Sequence, residues 1–189
     1  MQQNFENVIF LTGTEEILHN MPFIPVQPLF SEKVQMFLSA LSKMLLEYPQ
    51  IREYPDLLDY AFWIRPASLY KMSQQYPNRN RKIGRGVTFH IAPSNVPMAF
   101  ALSFTAGLLA GNGCIVRISK KEFPQSLYLI KIINQLLESE YSYLKPYLCF
   151  IQYSYDEKIT ADLSKICDVR VIWGGNQTIQ SIRRAPLPP

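Results

Sequence analysis

The chain has 189 residues, of which 48% are hydrophobic and only 18% charged, with a formal net charge of +4. A disordered chain would be poorer in apolar residues and richer in charge, so this composition describes a folded protein, with some surface meant to be covered by further protein. No apolar run reaches the roughly 18 residues of a membrane-spanning helix, and the start MQQNFENVIF lacks the basic-then-apolar pattern of a signal peptide.

In chain order, residues 1–30 hold Pro22, Pro25 and Pro28, which favour extended or irregular structure over helix. From Ser31 to Glu47, apolar residues fall at Val34, Phe37, Leu38, Leu41 and Leu45, the spacing of an amphipathic helix capped by Ser31. A second helical stretch, Leu57 to Gln75, is interrupted by Pro66. The basic stretch holding Arg79, Arg81, Lys82 and Arg85 lies between Pro77 and Gly86. Without interleaved aromatic residues it reads as a solvated linker and not as a nucleic-acid contact.

After Gly86 the texture changes. GVTFHIAP, CIVRIS, YLCFIQY and DVRVIWGG read as strands. Between and after them lie a helix beginning near Val96, a helix from Pro124 to Ser139, a short helix DEKITADLSKI and a final NQTIQSIRR. The alternation implies an α/β fold: a parallel, Rossmann-like sheet with flanking helices, preceded by a mostly helical N-terminal section. The expected division is 1–85 for that section and its linker, and 86–189 for the α/β part. Strand–helix junctions in such sheets suit phosphate binding, and APSNVP and WGGNQ stand out as two of them. Three widely spaced cysteines, Cys114, Cys149 and Cys167, make neither a disulfide framework nor a zinc site, and fit a reduced, cytoplasmic setting. No metal site is expected.

Taken together, Gly86–Pro97 (GVTFHIAPSNVP), Leu109–Gly113 (LAGNG), Val116–Lys120 (VRISK) and Ile172–Gly175 (IWGG) resemble, in order and spacing, the nucleotide-binding half of the aldehyde dehydrogenase superfamily. Within it, Phe62–Arg65 (FWIR), HIAPSNVP, WGGNQTI and the Arg183–Pro189 ending resemble the long-chain acyl-CoA and acyl-protein thioester reductases of the LuxC type. The chain would cover the first half or less of such an enzyme. The resemblance implies that Asn95 helps to hold the oxyanion of a thiohemiacetal; the alternative is that it merely caps the helix beginning near Val96. It implies that Ala92, Pro93 and Ser94 line the cofactor site, and that Gly174 and Gly175 approach the pyrophosphate. Trp173, at a position where the family has threonine, is either a core residue or a wall beside the cofactor. Arg117 takes the family's ribose-binding lysine position, and Lys120 replaces a glutamate that would repel a 2′-phosphate. With Ser119 between them, these changes imply NADP(H) as the preferred cofactor, with NAD(H) second.

The implied activity is reduction of a long-chain acyl thioester to a fatty aldehyde through a cysteine thioester. The family's nucleophile lies in a C-terminal catalytic domain expected to be absent here. Cys114 and Cys149 sit in apolar strands, Cys167 ends a helix, and none suits the role. The chain is therefore expected to be inactive alone, to form a homo-oligomer, and to work with an acyl-protein synthetase. His19 and His90 are unpromising as bases. The rival reading is a non-catalytic nucleotide-binding or protein-interaction module built on the same half-fold.

Overall fold

The computed structural model describes residues 5, 7–154 and 156–186. Residues 1–4 of the start and the last three residues of the Arg183–Pro189 ending lie outside the described residues. One sheet contains β1 (Ile9–Thr12), β2 (Val87–Ile91), β3 (Gly113–Arg117), β4 (Leu148–Gln152) and β5 (Val169–Ile172), in the order β1-β4-β3-β2-β5. β2 to β5 are parallel, while β1 lies at one edge antiparallel to β4, with Ile9 opposite Gln152.

The four parallel strands are the four apolar runs expected from the sequence. Their lack of alternation has a simple cause, because both faces of the sheet are covered. Cys114, Val116, Leu148 and Phe150 enter one core, while Ile115, Cys149 and Ile151 enter another on the opposite face.

Helices α5 (Ala99–Leu109) and α6 (Pro124–Leu137) make the crossovers β2-α5-β3 and β3-α6-β4 and pack in the first core. They share it with α2 (Glu32–Leu46), α3 (Pro55–Trp63) and residues of α4 (Pro66–Gln74). In α2, Val34, Phe37, Leu38, Leu41 and Leu45 are all buried, and Ser31 Oγ accepts from the Val34 N–H at 3.4 Å. Pro66 opens α4 at a position that needs no backbone donor, so the interrupted stretch becomes two helices. Helix α7 (Glu157–Ile166) joins β4 to β5, and helix α8 (Asn176–Arg183) follows; Leu163 and Ile182 from them enter the second core. The chain thus leaves β2 for β3 on one side and returns to β5 on the other, which is the topological switch point of a doubly wound sheet.

Three local features differ from the expectation. Strand β1 and the six-residue helix α1 (Glu15–Asn20) occupy part of the section read as extended or irregular. Thr14 caps α1 by accepting from the Ile17 N–H at 3.2 Å; an element this short has no period to detect. Helix α5 begins at Ala99, with Met98 as its N-cap, and not near Val96. The basic linker is tied down as well: Gly84 N–H donates to Gln27 O, and Gln27 N–H donates to Gly111 O. Gly111 follows α5 with φ +87°, and a Cβ there would run into the Gln27 carbonyl.

Candidate functional site

The carboxyl ends of β2, β3 and β5 open into a cleft of about 440 Å³, at the switch point. Backbone bonds hold its parts together: Ala92 N–H donates to Arg117 O at 3.2 Å, and Trp173 N–H donates to Ile91 O at 3.0 Å. After β2, the chain contributes Ala92, Pro93, Ser94 and Asn95 to the lining; after β3, it contributes Ser119 and Lys120, beside Arg117 at the strand's end. Trp173, Gly174 and Gly175 come from the turn after β5. Every residue singled out as a catalytic or cofactor-binding candidate therefore lines the same cleft, and Trp173 is in its wall.

The described lining of the cleft is cationic. Arg117 and Lys120 are its cations, and no carboxylate is among the described residues that line it. The Arg117 guanidinium lies over the Tyr153 ring, 4.8 Å from its centroid, while Arg117 Nε is buried with no partner. Lys120 Nζ donates to Ser154 Oγ at 2.9 Å. Gly175 is the N-cap of α8, and a Cβ on it would meet nothing within 4 Å, so the helix N-terminus is open to approach. Asn95 is exposed and does not cap α5, and its carboxamide makes no hydrogen bond among the described residues.

Four lining residues escaped the sequence reading: Tyr153 and Ser154 after β4, Thr178 in the first turn of α8, and Ile91 at the end of β2. The rule that ligands gather at carboxyl ends of parallel strands points to the first two. In YLCFIQYSY, however, the end of the strand is hidden within an apolar and aromatic run.

The remaining titratable candidates do not line the cleft. His90 is buried, and desolvation pushes its pKa down to about 4. Burial pushes the Cys114 and Cys149 thiols up to about 12 and Cys167 up to about 11. These thiols stay protonated at neutral pH and are poor nucleophiles. Among the described residues, no helix is long and apolar enough to cross a membrane.

The chain matches the family model described as acyl-CoA reductase (LuxC) over residues 18–189, a span that takes in the parallel sheet and the whole cleft. No curated protein matches the chain at a significant level. The chain belongs to the LuxC acyl-CoA reductase family.

Proposed function

We propose that this chain is the nicotinamide-dinucleotide-binding part of an acyl thioester reductase, with NADP(H) preferred over NAD(H). One observation carries the reading: residues chosen from separate motifs of the family resemblance line one cationic cleft at the switch point of the sheet. The side chains present fit a dinucleotide. Arg117 retains a buried donor without a partner, and Gly175 leaves the α8 N-terminus open.

On this reading, Gly174, Gly175 and the first turn of α8 hold the pyrophosphate, against a floor of Ala92, Pro93 and Ser94. Arg117, Ser119 and Lys120 take the adenosine ribose, the two cations favouring a 2′-phosphate. When bound, the cofactor supplies the hydride that reduces an acyl thioester to the aldehyde. Asn95 donates its amide N–H to the oxygen that gains negative charge, a contribution of about 3 kcal/mol in comparable sites. Since Cys114, Cys149 and Cys167 are buried and protonated, the thiolate that takes the acyl group comes from outside these 189 residues. Val96 and Leu102, both exposed, offer apolar surface for such a catalytic portion. A homo-oligomer and an acyl-protein synthetase partner belong to the same proposal.

The burial of all three thiols also favours a second reading, a module that binds dinucleotide without chemistry. Titration of the chain with NADPH and then NADH, read by Trp173 emission, tests what the two readings share. Saturable quenching, tighter for NADPH, is the expected result. A folded protein that binds neither refutes both. A preference for NADH refutes the NADP(H) assignment alone.

A further inference from the structure

Three side chains unused by the scheme above form a continuous hydrogen-bonded chain beside the cleft. Trp173 Nε1 donates to Ser103 Oγ at 3.0 Å, and Ser103 Oγ lies 2.7 Å from His90 Nδ1. An indole N–H only donates, so Ser103 is the acceptor in the first bond. Its own proton needs an acceptor. Ser39 and Ser164 turn theirs onto the carbonyl four residues back, of Gln35 and Thr160. Ser103 makes no such bond among the described residues; donation to His90 Nδ1 gives its proton an acceptor and leaves only Nε2 unpaired, whereas the reverse direction would leave both the Ser103 proton and Nε2 unpaired. Donation from Ser103 to Nδ1 fixes His90 as the neutral ring with its proton on Nε2.

This arrangement has a visible cost, because His90 Nε2 is buried and has no partner. Its return is at the far end of the chain of bonds. Trp173 is 44% exposed in the cleft wall, yet held twice, by its main chain to β2 and by its ring to α5.

We infer that Ser103 and His90 are positioning residues that pin the Trp173 indole as a fixed wall of the cleft, preorganised to stack against a flat heteroaromatic ring of the ligand. The pinning stands on the contacts alone; the ligand ring rests on the dinucleotide reading above. A free indole would lose rotamer freedom whenever a ligand bound, whereas a pinned one has already lost it.

The test uses a Trp63→Phe background, in which Trp173 is the sole tryptophan. Ser103→Ala is expected to raise acrylamide quenching of Trp173 and to weaken NADPH binding about three- to tenfold, the effect of one ordinary hydrogen bond. In a Trp173→Phe background, with binding read by NADPH emission, the same Ser103→Ala change should leave affinity unaltered, since no indole remains to be held. A merely structural serine would weaken binding in both backgrounds, and that result overturns the inference. So does unchanged quenching in a folded Ser103→Ala variant. If that variant fails to fold, hydrogen exchange of the Trp173 indole N–H in the unsubstituted chain decides: protection supports the pin, and exchange as fast as free indole refutes it. Increased quenching in a chain that binds no dinucleotide supports the pin and refutes the proposed cofactor.

Discussion

Acid should destabilise this protein through His90 in a calculable way. The ring is 1% exposed in the middle of β2, and burial lowers its pKa from 6.5 to about 4. In the unfolded chain it takes a proton near pH 6.5, so between these two values the unfolded state holds more protons than the folded one. Stability therefore falls as pH drops through that window. Integrating the difference gives a loss of roughly 2.5 kcal/mol between about pH 7.5 and pH 4.5. In urea unfolding, that corresponds to a midpoint lower by about 1 M. His90→Asn keeps an oxygen that can accept from Ser103 and removes the titrating group. The variant starts less stable through lost packing, but its midpoint should fall by about 1 M less over the same pH interval. Parallel declines in both proteins would refute the reasoning.

Gly86 has φ +132°, and a Cβ there would collide with Asp168 Oδ2, which accepts from the Val87 N–H at 2.7 Å. Gly86→Ala should therefore cost about 2 to 4 kcal/mol in urea unfolding, and an unchanged midpoint would contradict it. At pH 8, iodoacetamide should label Cys114, Cys149 and Cys167 at least roughly a hundredfold more slowly in the native chain than in urea; one rapidly labelled thiol would disprove the assignment of all three as structural. Lys120→Glu should weaken NADPH relative to NADH by roughly tenfold, because it places a negative charge where a 2′-phosphate would sit. A change of the opposite sign in competitive titrations would remove Lys120 from the proposed site.

The parallel sheet was legible because a strand covered on both faces needs unbroken apolar residues, and runs such as VTFHI and LCFIQ have few other uses. Helix α2 was legible because its apolar positions repeat over several turns. β1 was not: four residues carry no usable period, and the strand exists because β4 offers it an edge. In the cleft, the turns after β2, β3 and β5 carried recognisable motifs, whereas Tyr153 and Ser154 had only their place at a strand end. The bond from Trp173 to Ser103 joins residues 70 positions apart and leaves no local pattern at either.

The antiparallel edge also sets a timetable for synthesis. Ile9 pairs with Gln152, so β1 emerges early and has no partner until roughly 140 further residues have been made. At about 5 to 20 residues per second, that interval is roughly 7 to 30 s. During it, the IFLT segment is an apolar strand without a sheet, open to pairing with whatever other extended chain is near. Low temperature and slow translation are thus expected to have different effects on yield: cold weakens unwanted apolar contacts, whereas slowing the ribosome lengthens the time during which they can form.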